Sequence, residues 1–276
     1  MDLNELIKHA FAEDIPSGDI TTAGLGLKEK LGDAKLVAKE DLVLSGREVF
    51  TACVLSRDSG LNLKWQFKDS DFVLRGQTVC WIRGNLLTLL QAERVALNFL
   101  GHLSGVATLT RCFAQAVSKT ECKILDTRKT TPLLRALEKQ AVMDGGGANH
   151  RMSLSDAVLI KENHIRAAGS LTEAVRAIRS RSRAPIEVEC AKLQEVDQAV
   201  AAGVQRILLD NMTTEQMREA RAKIPAHMEI EASGNMTLER VAEVASTGVD
   251  FISVGALTHS APCADFSLLF EWPLGV

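Results

Sequence analysis

The chain has 276 residues, 46% hydrophobic and 24% charged, with a formal net charge of −3. That length suits two modest domains or one barrel-sized one, and the acidic balance argues against a general nucleic-acid binder. Charges break every apolar run well short of the roughly 18 residues of a membrane span. The N-terminal MDLNELIKHAFAEDIPSGD is acidic and amphipathic and does not read as a secretory signal. Six scattered cysteines (Cys53, Cys80, Cys112, Cys122, Cys190, Cys263) form no CxxC pair. They read as reduced thiols of a cytoplasmic enzyme, not as a disulfide framework or zinc site.

In chain order, KLVAKEDLVLSG and DFVLRGQTVCWIRGN alternate apolar and polar residues as half-buried strands do. LLTLLQAERVALNFLGHLSGVATLTRCFAQAV then gives a long helical pattern, weakened by Gly101 and Gly105. Residues 1–108 are expected to form an α+β domain with a connecting helix, and residues 109–276 a second domain. The C-terminal tail is a candidate to pack back on the first, and the absence of a Pro/Ser-rich linker predicts tight packing of the two. From Lys123 onward the apolar runs KILD, AVLIK, IEVEC, RILLD, MEIEAS and DFISVG recur. Between them lie SLTEAVRAIRSR, KLQEVDQAVAAG, TTEQMREARAK and TLERVAEVASTG, which have helical periodicity. The repeat predicts βα units on a parallel sheet covered by helices. Six clear strands are too few for a closed eight-stranded barrel.

The strands end on Asp126, Lys161, Glu189, Asp210, Glu231 with Ser233, and Gly255, and the C-terminal strand ends are where such barrels build active sites. The loop TRKTTP sets Arg128 and Lys129 past one strand end, with Thr127, Thr130 and Thr131 as donors and Pro132 opening the next helix. Lys123 to Arg166 carries eight Lys/Arg against five Asp/Glu, a local +3 that leaves −6 for the remainder. With His150, Arg151 and Lys161, this favours an anion bearing more than one charged group. Gly145 to Gly147 are expected to turn the backbone tightly beside that ligand, aiming His150 and Arg151 into the barrel mouth. Glu189 and Asp210 suit sugar hydroxyls or a Mg²⁺ shared with ligand phosphates. ASGN (232–235) and VGALTHS (254–260) suit a phosphate cradle. His102 and His164 read as core or capping histidines, and Met143, Met152, Met212 and Met217 as packing residues. There is no HExxH, GxSxG or GxxxxGK[ST] motif.

These phrases resemble one family, quinolinate phosphoribosyltransferase, over nearly the whole chain. The resemblance runs from EDIPSGDITT (13–22) and ERVALNFLGHLSG (93–105) through DTRKTTPLLRALEKQAV (126–142) and GGGANHRMSLSDAVLIKENH (145–164). It continues through IEVE, LLDN and EASGNM to DFISVGALTHS. It implies an N-terminal α/β sandwich domain plus an incomplete α/β barrel, the type II phosphoribosyltransferase fold, as a homodimer or higher homo-oligomer. Arg128, His150, Arg151 and Lys161 would contact the pyridine dicarboxylate, and Arg94 would reach it from the neighbouring subunit. Lys129 would serve the substrate anions, phosphoribosyl pyrophosphate (PRPP) included, and Glu189 and Asp210 would hold the ribose hydroxyls and the Mg²⁺–pyrophosphate. Lys129, Glu189 and Asp210 are thus the candidate catalytic residues. Ser233, Gly234, Gly255 and Ala256 would cradle the 5-phosphate, with His259 also among the substrate-binding residues.

Two departures stand out: QAVMD, where an aromatic after LEK and a basic residue after AV are expected, and Asn235, where a third small residue is frequent. Related proteins associated with molybdenum genes usually lack the full GGGxNHR and KENH phrases. The alternatives are transfer to another aromatic acid such as nicotinate, and a non-catalytic sugar-phosphate-binding barrel. The surplus of cations favours a diacid, and the Glu189/Asp210 pair favours catalysis.

Overall fold

The computed structural model describes residues 2–25 and 30–271. The first elements are α1 (Leu3–Asp14), α2 (Ile20–Gly24), β1 (Leu31–Ala38), β2 (Leu42–Val43), α3 (Arg47–Arg57), β3 (Asn62–Trp65), β4 (Phe72–Val73), β5 (Thr78–Asn85) and α4 (Leu86–Ala116). There follow β6 (Lys123–Leu125), α5 (Arg135–Asp144), β7 (Val158–Ile160), α6 (Glu162–Ala168), α7 (Leu171–Arg179), β8 (Ile186–Cys190) and α8 (Leu193–Ala202). The last are β9 (Arg206–Asp210), α9 (Thr214–Lys223), β10 (Glu229–Ser233), α10 (Leu238–Ala245), β11 (Phe251–Ser253), α11 (Ala256–His259) and β12 (Phe266–Glu271). Among the described residues no helix is long and apolar enough to cross a membrane.

The chain divides into two units. One comprises Met1–Leu109, Thr131–Gly146 and Ala261–Val276, the other Thr110–Thr130 and Gly147–Ser260. The division is therefore not a single cut near residue 108: α5 and the C-terminal strand belong with the N-terminal residues.

The first unit holds an antiparallel sheet in the order β12-β1-β5-β3. Strand β1 shows why it forms: Ala34, Leu36 and Ala38 are buried while the residues between them are half-buried, the period-2 pattern of a one-sided sheet. Helix α3 buries Val49, Phe50, Cys53 and Val54 on one face, and Phe50 meets Trp65 of β3 edge-on, centroids 5.5 Å apart. Strand β12 pairs along β1 from Phe266↔Ala38 to Glu271↔Asp33. The glycines of α4 are close approaches rather than weak points. A Cβ on Gly105 would overlap the Pro262 carbonyl oxygen, and one on Gly101 would sit 2.8 Å from the Ala264 oxygen. The Ala264 N–H donates to the Gly101 carbonyl at 2.9 Å.

The second unit is a parallel sheet of six strands, β6-β11-β10-β9-β8-β7, which are the six predicted apolar runs. The helices α7 to α10 fall on the segments with helical periodicity. With six strands the α/β barrel is incomplete, and Ala148 makes a lone parallel bridge to Leu125 on β6. Pro132 does not open α5, which starts at Arg135; it precedes Leu133, a leucine at φ 69°. The glycine run ends that helix: Gly145 caps it, and Gly146, at φ 91°, turns the chain away through the left-handed region that favours glycine.

Candidate active site

Strand register builds the site in layers. On β8 and β10, alternate residues point the same way, so Glu187 and Glu189 share a face, as do Glu229, Glu231 and Ser233. Pairing sets Arg206 of β9 beside both Glu187 and Glu229, Leu208 beside Glu189 and Glu231, and Asp210 beside Ser233. Above the last layer a cavity of about 870 Å³ opens. Its wall includes Arg128, Lys129, His150, Arg151, Lys161, Glu189, Asp210, Ser233, Gly234, Gly255, Ala256 and His259. The sequence-predicted residues of the second unit are thus brought to one place. Arg94 is not among them: it lies exposed on α4, in the first unit. The three consecutive glycines do not line the cavity either, because they serve as a helix stop.

Cations crowd one side of the cavity. Burial and the neighbouring Arg128 charge both hold the Arg151 guanidinium below its ordinary pKa, which marks a pair of like charges suited to an anion. The Arg151 side chain is braced by donating from Nη1 to the Ala157 carbonyl at 3.0 Å. The loop carrying Lys129 is fixed at two points: its amide donates to Thr127 Oγ1 at 3.0 Å, and its carbonyl accepts from Thr258 Oγ1 at 2.8 Å. The Lys129 stem lies against Gly255, where a Cβ would come within 3.0 Å of it. Lys161 and Glu189 follow register partners Ile160 and Val188 on adjacent strands, and their side chains form an ion pair. Asp210 accepts from the Asn211 side-chain amide at 2.9 Å.

His150 lines the cavity and also reaches beneath it. Its Nε2 faces inward, 3.2 Å from Glu187 and 3.4 Å from Glu231. Its backbone N–H donates to buried Asp126 at 2.9 Å. Burial alone would lower its pKa, but hydrogen bonds and charge from the two glutamates outweigh burial and raise it to about 9. The Arg151 backbone nitrogen lies 2.7 Å from His150 Nδ1, and Glu187, beside Nε2, has its own carboxyl pushed up by burial. The three groups titrate as a unit. Their ligand atoms lie within 4.8 Å of one another, a spacing that a divalent ion would also accept. The countercharge is already supplied by protein, since Arg206 Nη1 lies 3.4 Å from Glu231 and Nη2 lies 2.7 Å from Glu229.

Sequence reasoning named His150 and Glu231 but missed Glu187 and Arg206, and with them the buried layer. The available signal was the alternate-residue glutamates in IEVEC and EIEAS, because a strand covered on both faces by apolar groups has none. Among the discounted residues, His102 pairs through Nε2 with buried Glu138 at 2.7 Å, and His164 Nδ1 accepts the Lys161 amide at 3.0 Å. Met212 and Met217 are buried, whereas Met143 and Met152 are exposed and so are not packing residues.

Against known proteins, residues 19–104 match the model of the quinolinate phosphoribosyl transferase N-terminal domain, and residues 106–269 match that of the C-terminal domain. The chain belongs to the quinolinate phosphoribosyltransferase family. It is 45% identical to a probable nicotinate-nucleotide pyrophosphorylase (carboxylating) of Synechocystis, over 93% of this chain and 88% of that one. It is 38% identical to the corresponding probable enzyme of Bacillus subtilis, over 97% and 93%. The crystal structure of NadC from Streptococcus pyogenes superposes with a TM-score of 0.94 at 40% identity, covering 98% of this chain and 97% of that one. The family fold therefore spans both units of the chain.

Proposed function

We propose that the chain transfers the phosphoribosyl group of PRPP to quinolinate with decarboxylation, giving nicotinate mononucleotide, CO₂ and pyrophosphate, a step of NAD biosynthesis. The observation that carries this reading is the cavity wall itself. Arg128, Lys129, Arg151 and Lys161 come together beside Glu189 and Asp210, four cations for a dicarboxylate and a pyrophosphate with two acids for a sugar. The reaction needs little acid–base work. The pyridine nitrogen attacks C1 of the sugar, and pyrophosphate leaves with the electron pair of its C–O bond. The alkylated ring is cationic, so it stabilises the ring carbanion left when the carboxylate next to nitrogen departs as CO₂; that carbon then takes up a proton.

Positioning and electrostatics dominate such a step. Arg128 and Arg151 present planar forks to the carboxylates. Lys161 exchanges its Glu189 partner for substrate, which frees Glu189 to face the ribose or the positive charge developing on it. Lys129 neutralises the anions between the two substrates. His150, in the same cavity wall, meets the carboxylates beside Arg128 and Arg151. Ser233, Gly234, Gly255 and Ala256 receive the 5-phosphate beside His259. The donor set fits Mg²⁺, a hard ion that takes one or two carboxylates plus phosphate oxygens. Glu189 and Asp210 would hold it, and when bound it would neutralise the departing pyrophosphate. The enzyme is read as a cytoplasmic homodimer or higher homo-oligomer in which Arg94 of one subunit completes the quinolinate site of the next.

Incubation with quinolinate, PRPP and Mg²⁺ should release CO₂ and nicotinate mononucleotide in equal amounts. Product from nicotinate but none from quinolinate would replace this reading with non-decarboxylating transfer. Binding of both substrates without product would leave a sugar-phosphate-binding barrel.

A further inference from the structure

The turns after β9 and β10 are built on left-handed residues: Asn211 at φ 54°, Gly234 at φ 93° and Asn235 at φ 49°. Asparagine is among the few side chains that accept this region. Several hydrogen bonds tie the two turns together. The Asn211 amide donates to the Ser233 carbonyl at 2.9 Å. Asn235 Nδ2 donates to Asn211 Oδ1 at 3.1 Å. The Arg240 fork spans both turns, Nη1 donating to the Gly234 carbonyl at 3.1 Å and Nη2 to the Met212 carbonyl at 2.7 Å.

The direction of this chain of bonds is fixed by its far end. Asp210 presents a carboxylate oxygen, which accepts, so Asn211 must turn its Nδ2 toward it, at 2.9 Å. Asn211 Oδ1 is then left facing Asn235, which must donate. Gly234 leaves the path open, since a Cβ there would overlap Asn211 Oδ1.

We propose that Asn235, Asn211 and Arg240 are positioning residues for the sugar phosphate: the Arg240 fork sets the spacing of the two turns, and the Asn235–Asn211 bridge passes it to the Asp210 carboxylate. The proposal rests on the reading that Ser233 and Gly234 meet the phosphate and Asp210 the sugar or pyrophosphate. It gives Asn235, where the sequence departs from a small residue, a task of its own. Asn211 and Asn235 are both exposed, so their bridge does little for stability, and its effect lies in how rigidly Asp210 and the phosphate turn face a ligand.

Asn235→Gly is the informative variant, because glycine keeps the left-handed backbone and removes the bridge, taking one side chain from the cavity wall with it. Calorimetry with ribose 5-phosphate should show binding weakened about fivefold, the share of one net hydrogen bond. The KM for PRPP should rise in parallel while the KM for quinolinate stays within about twofold. Arg240→Met should weaken ribose 5-phosphate at least as much, and Arg240→Lys should not restore it, lacking the second prong. Because one bond is shared, combining Asn211→Gly with Asn235→Gly should cost no more than the worse single change. Unchanged ribose 5-phosphate affinity in Asn235→Gly overturns the proposal, as does a wild-type protein that binds no ribose 5-phosphate. A wild-type protein that binds it without turning over quinolinate sinks the activity reading and leaves the proposal standing.

Discussion

Two ion pairs in the same barrel have opposite uses. Lys161 is 48% exposed in its pair with Glu189, and such pairs contribute about 0–1 kcal/mol to stability. Lys161→Met should therefore unfold within roughly 1 kcal/mol of wild type in urea, yet lose activity by about two orders of magnitude or more. Arg151→Ala should behave likewise, and an active Arg151→Ala protein would remove that residue from the site. Glu231 is fully buried between His150 and Arg206, and breaking a buried pair costs about 3–5 kcal/mol. Glu231→Gln should show that loss in the same urea titration. His150 also gives the fold a pH dependence. Its pKa is raised to about 9 in the folded protein, above an ordinary value of about 6.5. Its stabilisation is thus fully present below about pH 6.5 and is lost as pH rises through about 9. Buried Cys53, Cys80, Cys122 and Cys190, pushed by burial to about 12, erode the fold in the same alkaline direction. The His150 share is the difference between wild type and His150→Gln, which should shrink between pH 7 and 10.

Helix α4 shows propensity and packing pulling apart. In isolation, replacing Gly105 by alanine should stabilise a helix by about 1 kcal/mol. Here the added methyl would overlap the Pro262 carbonyl oxygen, backbone that cannot yield as a side-chain tip would, and overpacking of this kind costs about 1–3 kcal/mol. Gly105→Ala should lower the melting temperature by roughly 5 °C; a rise would show that the Pro262 segment gives way freely. The parallel strands were legible because four of the six apolar runs were followed by a segment of helical period. Strand β3 and the boundaries of α5 were not, since NLKW is half exposed and Leu133 interrupts the start of α5 in a conformation that leucine rarely takes.

Assembly supplies the remaining test. If Arg94 completes a neighbour's site, Arg94→Ala and Arg151→Ala should each be nearly inactive alone. Subunits mixed through unfolding and refolding would then form heterodimers with one intact site, and statistical mixing recovers about a quarter of wild-type activity. No recovery would place Arg94 in its own subunit's site, and an Arg94→Ala protein active by itself would place it outside any.

The order of the six parallel strands and of α7 to α10, the cations past the strand ends and the two acids at Glu189 and Asp210 followed from the sequence, because hydrophobic period and strand-end position are local properties. Where side chains point after long-range pairing is not local. Only the tertiary structure set His150 Nε2 beside Glu187 and Glu231, since the register of β8, β9 and β10 builds that buried layer from residues far apart in the chain. It likewise made the three glycines a helix stop and the α4 glycines a contact with Pro262 and Ala264, and it joined Asn235 to Asn211.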